Sequence, residues 1–189
     1  MPRERLSRAS VVRAAADLID GEQRPELKLA DLADRLGVRT PSLYNHIEGI
    51  DDLQASMALY GTEELGRRIG RAAIGLAGDE AILSVASAYR DFAREHPGLY
   101  QLTLRAPASS EASRVAVSDE IIDVLKKILD PFCLSEEDAI HVIRGLRSLM
   151  HGFVALELAS GFGIPLDVDE SYRRLIVTFV AGLRVGVAS

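Results

Sequence analysis

The chain has 189 residues, of which 48% are hydrophobic and 26% charged, a composition typical of folded globular proteins. No apolar run reaches the length of a membrane span, and the N-terminus lacks the apolar core of a signal peptide, so we expect a cytoplasmic protein with no membrane partner. The single cysteine, Cys133, excludes an internal disulfide.

The net charge of −6 is unevenly distributed along the chain. Residues 1–50 hold eight Lys/Arg and eight Asp/Glu, so residues 51–189 carry the whole negative charge. The first thirteen residues are locally basic, with four arginines against one glutamate: Arg3, Arg5, Arg8 and Arg13 against Glu4. A basic segment on an otherwise acidic protein suits an oriented approach to an anionic partner, and solvated tail charges are the alternative.

Helical periodicity predicts two short helices joined by a tight turn in residues 28–47. Four apolar residues at helical spacing form the buried stripe of the first short helix: Leu29, Leu32, Ala33 and Leu36. Gly37 ends that helix, because glycine adopts the left-handed conformation without a side-chain clash. Thr40 is a good N-cap for the second short helix, and Pro41 is a good first helical residue.

The second short helix has few residues available for packing. Leu43 and Ile47, four positions apart, point to the core and leave Ser42, Tyr44 and Asn45 facing outward. This is the arrangement of a helix-turn-helix, whose second helix enters the major groove of DNA.

Residues 8–55 resemble the DNA-binding domain of the TetR family of bacterial transcriptional regulators. The resemblance covers residues 11–19, which look like the alanine-rich first helix of that family, and five further matches: Leu32-Ala33, Gly37-Val38, Leu43-Tyr44, His46-Ile47 and Asp51-Asp52-Leu53. Two positions depart from the family. Lys28 replaces a capping Thr or Ser, and Ile50 replaces a lysine that contacts phosphate, with Glu48 adding repulsion nearby. We therefore expect weaker non-specific DNA binding, or compensation by other basic residues.

Eight residues are the candidate DNA contacts: Lys28, Arg39, Thr40, Pro41, Ser42, Tyr44, Asn45 and His46. Ser42 and Asn45 can reach base edges, and asparagine suits bidentate contact with adenine. The others are candidates for phosphate contacts, and Pro41 for contact with a thymine methyl group. For Tyr44 and His46 the alternative is a position at the edge of the core.

Beyond residue 50 the sequence shows no strand pattern, and helical periodicity predicts six more helices, at about 51–75, 78–96, 99–104, 111–130, 136–160 and 169–187. Ser135 and Asp138 form a close relative of a capping box at the start of the longest apolar helix. We therefore expect an all-α fold of about nine helices, with a DNA-binding domain at 1–50 and a body at 51–189.

The last two predicted helices, 136–160 and 169–187, are apolar on more than one face, so each needs a second packing partner. Gly152 and Gly182 would let another backbone approach closely. We expect a homodimer through a four-helix bundle of these helices, in agreement with the TetR resemblance and with two-fold reading of DNA half-sites. The alternative is that both helices form the core of a monomer. The stretch 150–158, which begins Met-His-Gly, resembles the C-terminal domain of one TetR subgroup.

The resemblance also implies a ligand pocket in the body. Its candidate lining is mostly apolar and aromatic, with a few polar groups: Tyr89, Phe92, His96, Tyr100, Leu104, Leu125, Met150 and Phe153. Such a cavity suits a small, largely apolar ligand, and plain core packing is the alternative for each residue. Arg105 and Arg147 stand isolated in the sequence, so no cluster of charges predicts a charged ligand.

Metal and redox chemistry are not expected. The four histidines lack metal-ligand spacing, since His141 and His151 on one helix would lie about 15 Å apart along its axis. We therefore expect no metal and no cofactor. Cys133 has no nearby cation in the sequence to activate its thiol. The common enzyme signatures, among them phosphate-binding glycine loops and the Gly-x-Ser-x-Gly elbow, are absent.

These observations together predict a ligand-responsive DNA-binding regulator. In this hypothesis a dimer represses transcription from a near-palindromic operator and is released by a small molecule. Two alternatives remain open at this point. One is a protein-interaction scaffold whose helix-turn-helix no longer binds DNA, and the other is a helical enzyme that uses the body pocket.

Overall fold

A computed structural model describes residues 6–22 and 27–186, and the regular structure in these ranges is entirely helical. Within them the chain forms α1 (Arg8–Glu22), α2 (Leu29–Leu36), α3 (Thr40–Leu43), α4 (Ile50–Ala73), α5 (Gly78–Glu95), α6 (Pro97–Thr103), α7 (Ala112–Leu129), α8 (Glu136–Leu158) and α9 (Val168–Gly186), with a short 3₁₀ helix at Asp130–Phe132. The all-α prediction is confirmed. None of the described helices is long and apolar enough to cross a membrane.

Capping explains where several helices begin and end. Gly37 follows α2 with φ = 66°, and the Val38 amide donates to the carbonyl of Ala33 at 3.0 Å, a Schellman ending. Ser135 caps α8, because its hydroxyl oxygen accepts a bond from the Asp138 amide at 3.1 Å. Both of these predictions are confirmed.

The predicted N-cap of α3 is wrong. Thr40 is the first helical residue, and Arg39 occupies the cap position without a side-chain bond. The reason is that the Arg39 carbonyl already accepts the first bond of the turn, from the Ser42 amide at 2.8 Å. Pro41 is therefore the second helical residue rather than the predicted first one, and it still lies in the first turn, where its missing N–H is not needed.

The contacts divide the chain into two compact units. The first contains the described residues of Met1–Glu64 and Glu95–Val115, and the second those of Leu65–Arg94 and Ala116–Ser189. The first unit therefore holds α1–α3, α4 as far as Glu64, α6 and the first turn of α7. The predicted division at residue 50 stays a prediction.

In the first unit, α6 is fastened to the end of α1. The Asp20 carboxylate accepts a bond from the Leu99 amide at 2.8 Å, and its second oxygen lies 2.8 Å from Nδ1 of His96. Gly98 lies against the α1 backbone, where a Cβ atom would stand 2.5 Å from the Ile19 carbonyl oxygen. Buried apolar side chains complete the core of this unit, among them Val11, Ala15, Leu32, Leu43, Leu53 and Tyr100.

In the second unit the core is formed mainly by one face each of α5, α8 and α9. It includes Ile82, Val85, Phe92, Leu146, Met150, Val154 and Ile176. Tyr172 of α9 is also buried, and its hydroxyl donates to the Ala86 carbonyl at 2.8 Å. Burial raises the pKa of Tyr172 above its ordinary value, so this hydroxyl keeps its proton.

Candidate functional site

The recognition segment, defined here as residues 40–47, consists of the single turn of α3 and the turn that follows it. Leu43 and Ile47 are 0% and 2% exposed and anchor the segment in the core of the first unit. Tyr44 is 55% exposed, Asn45 is exposed and Ser42 is half-buried. The segment therefore presents polar and aromatic groups to solvent from a packed base.

The surroundings of the segment decide how it could hold a phosphate backbone. Lys28, Arg39 and Pro41 are exposed, while Thr40 and His46 are half-buried. Lys28 precedes α2 and makes no side-chain cap, as its residue type predicts. The tyrosine is more exposed than the core-edge alternative requires, whereas the half-buried histidine fits that alternative.

The start of α4 lacks the cation that is common in the family. Ile50 begins α4 as a half-buried side chain, and Glu48 just before it is exposed. An apolar side chain there can supply no charge to a phosphate. Any compensation must come from other cations of the first unit.

Arg8 does not supply that compensation as a free cation. It forms an ion pair with Asp52, whose side chain is 25% exposed. Arg8 does lie beside the motif, because it donates to the carbonyl of His46, but part of its charge is neutralised by Asp52. Arg3 and Arg5 lie outside the described residues.

The predicted pocket residues are distributed over both units. His96, Tyr100 and Leu104 belong to the first unit, and Tyr89, Phe92, Leu125, Met150 and Phe153 to the second. Four of the eight are buried, namely Tyr89, Phe92, Tyr100 and Met150, and the other four are half-buried. Burial fits both core packing and a closed cavity, so the pocket stays a prediction. His96 has one ring nitrogen bonded to Asp20, which assigns that side of the ring to the α1–α6 contact.

Sequence reasoning missed a buried arginine in the second unit. Arg90 is 6% exposed, and its Nε and Nη2 atoms donate to the Glu157 carboxylate at 2.8 and 2.6 Å. Its Nη2 also donates to Asp169 at 2.7 Å, and its guanidinium lies 5.0 Å from the ring centroid of Tyr172. The sequence did contain a signal of this burial, because Arg90 falls four residues after Ala86 on the buried stripe of α5.

The Arg90 cluster lies at a groove of about 390 Å³ between α5 and α9. Two more arginines, Arg94 and Arg173, line the groove together with Asp91 and Asp169. Carboxylates of the same unit form ion pairs with these arginines, so the cluster holds helices together. In the first unit Arg105 is likewise not isolated, contrary to expectation, since it donates to the Glu111 carboxylate at 3.0 and 2.9 Å.

Among the described residues, no group of three or more histidine, cysteine or acidic side chains could hold a metal ion.

Comparison with known proteins identifies the family. Residues 82–179 match the family described as "Tetracyclin repressor-like, C-terminal domain". The uncharacterized HTH-type transcriptional regulator YobS of Bacillus subtilis is 39% identical over 185 residues, which cover 97% of this chain and 96% of that protein. The chain belongs to the TetR family of transcriptional regulators.

Two further comparisons extend this result. An uncharacterized HTH-type transcriptional regulator of Mycobacterium tuberculosis is 31% identical to this TetR-family chain, over 95% of it and 82% of the relative. A TetR variant from Acinetobacter baumannii, solved in complex with minocycline, shares the fold with a TM-score of 0.71 at 18% identity, over 98% of this chain and 100% of that one. The predicted family is confirmed, and the chain is a transcriptional regulator rather than an enzyme.

Proposed function

We propose that this TetR-family regulator is a repressor that binds a near-palindromic operator as a homodimer and is released by a small, largely apolar molecule. The observation that carries the proposal is the recognition segment. Tyr44 and Asn45 are exposed beside the fully buried Leu43, so a rigid base holds groups that are free to contact DNA.

Base reading is assigned to Ser42 and Asn45, with Asn45 pairing with an adenine edge. Contact with a thymine methyl group is assigned to Pro41, which is exposed. Phosphate contacts are assigned to the remaining candidates, Lys28, Arg39, Thr40, Tyr44 and His46. The charge distribution supports this orientation, since residues 1–50 carry no net charge and residues 51–189 carry −6. The acidic remainder is repelled by DNA.

Dimerisation is assigned to the outer faces of α8 and α9. Gly152 and Gly182 are exposed. A Cβ atom added at either glycine would have no neighbouring atom of the same subunit within 4 Å. Leu156 is 53% and Val177 40% exposed on the same two helices. Small residues flanked by exposed apolar side chains suit the approach of a second backbone. The resulting dimer would place two recognition segments about 34–36 Å apart, one turn of DNA.

Release by a ligand is assigned to the body. The minocycline complex of the distant A. baumannii relative supports a small-molecule site in this fold. A ligand that prefers the state with displaced recognition segments needs a coupling of about 1–3 kcal/mol to weaken DNA binding by about 5–150-fold.

Selection of DNA from a random-sequence duplex library by the wild-type protein tests the proposal. We expect enrichment of a two-fold symmetric sequence, with affinity that falls steeply as salt rises. Asn45→Ala should retain folding and lose discrimination at one position of each half-site. Enrichment of no sequence would contradict the proposal and would favour the scaffold alternative.

The ligand is tested separately by a thermal-shift screen of small apolar compounds. A compound at a hundred times its dissociation constant should add about 2.7 kcal/mol to the free energy of unfolding. It should also release the selected duplex. A compound that stabilises the protein and leaves DNA binding unchanged would contradict the release mechanism.

A further inference from the structure

Arg8, the first residue of α1, joins three separate parts of the first unit. Its Nη1 atom donates to the carbonyl oxygen of His46 at 3.0 Å and to Oδ2 of Asp52 at 2.9 Å. Its Nη2 atom donates to the Ser56 hydroxyl at 2.7 Å and to the second carboxylate oxygen of Asp52. One guanidinium therefore connects α1, the recognition segment and the first turns of α4.

Asp52 fastens the same turn from the other side. Its Oδ2 atom accepts a bond from the Glu48 amide at 2.9 Å. The bond from Arg8, together with that from the Glu48 amide, lowers the pKa of Asp52 below its ordinary value, so the carboxylate stays charged in the folded protein. The residues between the recognition segment and α4 are thus held at both of their ends.

We propose that Arg8 and Asp52 are positioning residues for DNA binding, which fix the C-terminal end of the recognition segment, and that Arg8 contacts no phosphate. The proposal rests on the proposed function, in which Ser42, Tyr44 and Asn45 meet the DNA.

The physical reason lies in the short length of α3. A helix of one turn cannot fix its own direction, and the carbonyl groups at its end need partners from elsewhere. A charged donor on the His46 carbonyl makes a stronger bond than a neutral one. Because the donor is also tied to Asp52, the direction of the recognition segment follows that of α4.

The pair is suited to positioning rather than to overall stability. The side chains of Arg8 and Asp52 are 49% and 25% exposed, and exposed ion pairs contribute little to global folding. Its loss should therefore change the melting temperature by less than about 4 °C. Effects on DNA binding can then be separated from unfolding.

Asp52→Asn distinguishes positioning from phosphate contact by the sign of its effect. If Arg8 positions the segment, Asp52→Asn should weaken binding to the selected duplex about tenfold, the loss expected when one base contact of good geometry is misplaced. If Arg8 contacts a phosphate, removal of its acidic partner should tighten binding. Tighter binding than in the wild type would overturn the proposal.

Asp17→Asn is the matched control for charge. Asp17 lies on α1, its side chain is 65% exposed, and its contact with Arg35 is long, at 3.8 Å. The substitution removes one negative charge from the same unit and leaves the Arg8 contacts in place. We expect slightly tighter binding from the weaker repulsion, opposite to the effect of Asp52→Asn.

Arg8→Lys and Arg8→Ala give a second test that does not depend on Asp52. Lysine keeps the charge and cannot reproduce the fork that reaches Asp52 and the His46 carbonyl together. Both variants should bind the duplex about tenfold more weakly, with the same salt dependence as the wild type. A lost phosphate contact would instead lower the slope of log affinity against log salt by about 0.9 per contact, and lysine would restore it. That result would overturn the proposal.

Hydrogen exchange without DNA separates this inference from the proposed function. In Asp52→Asn, amides of residues 46–49 should exchange faster, while those of α5 stay unchanged. Unchanged exchange at 46–49, in a protein that still binds its duplex, would overturn the positioning role alone. A wild type that enriches no DNA sequence would overturn the proposed function and this role with it.

Discussion

Replacing Gly98 by alanine should separate α6 from α1. The added Cβ would stand 2.5 Å from the carbonyl oxygen and 2.6 Å from the carbonyl carbon of Ile19. Both atoms belong to the backbone of α1, so no side-chain rotation can relieve the contact. Ordinary packing begins above about 3 Å, and α1 and α6 must therefore move apart by more than half an ångström.

That movement also acts on the bonds beside the glycine. The bond from the Leu99 amide to Asp20 measures 2.8 Å, and a shift of this size stretches it beyond useful geometry. Overpacking costs about 1–3 kcal/mol, and weakening a bond to a charged acceptor adds about 1 kcal/mol. We expect a loss of about 2–4 kcal/mol, or a melting temperature lower by about 4–16 °C.

Urea denaturation followed by circular dichroism measures the loss directly. Gly70→Ala in α4 is the control, because an added Cβ there meets nothing within 4 Å. It should stabilise the protein by about 0.5–1 kcal/mol, as alanine does in helix interiors. If Gly98→Ala were as stable as Gly70→Ala, α1 and α6 could not approach as closely as the structure describes, and the reasoning would fail.

Three further predictions concern the second unit. Gly152→Arg should leave folding intact, since the site is open within its own subunit. It should turn the proposed dimer into a monomer in analytical ultracentrifugation, whereas Gly70→Arg should leave the dimer intact. Arg90→Met should cost about 3 kcal/mol in urea denaturation, because the largely buried Glu157 loses both short bonds from Arg90 and keeps a longer contact of 3.8 Å with Arg94. Glu157→Leu in the same chain should recover at least half of that loss, and no recovery would contradict the pairing. The Glu170 carboxyl should titrate with a pKa of about 2 by carbon NMR, because it accepts bonds from Arg173 and Arg174. Its folded pKa is lowered, so these bonds stabilise the protein above the unfolded value near 4.5 and are lost as pH falls towards 2; a midpoint at the ordinary value would refute this.

Helices and their ends could be predicted from the sequence because their causes are local. Gly37 and Ser135 act within a few residues of themselves, and both behave as their types require. The burial of Leu32, Ala33, Leu43 and Ile47 follows from spacing, while Leu29 and Leu36 at the ends of the predicted stripe are half-buried. Thr40 shows the limit of such reasoning, because two adjacent residues can both serve as the cap and backbone geometry decides between them.

The ion pairs of Arg8 and Arg90 could not be predicted, because their partners are far apart in sequence. Arg8 reaches Asp52 across 44 positions, and Arg90 reaches Glu157 across 67. An arginine on an apolar stripe, such as Arg90, can be predicted to be buried, but the sequence does not show which carboxylate pairs with it. The same rule applies to the contact of α6 with α1, because Leu99 and Asp20 lie 79 positions apart.

These ion pairs reduce the positive charge that the DNA-binding helices can offer to phosphate groups. Arg8 is committed to Asp52, and Arg35 of α2 lies near Asp17 of α1. Lys28, just before α2, and Arg39, just before α3, are further exposed cations, and Ile50 adds none. Since non-specific binding comes from phosphate neutralisation, a protein with few such cations depends more on base contacts and on two-fold binding. In the proposed dimer, a ligand that moved one recognition segment relative to the other would remove both contributions at once, so a modest coupling energy would be sufficient for release.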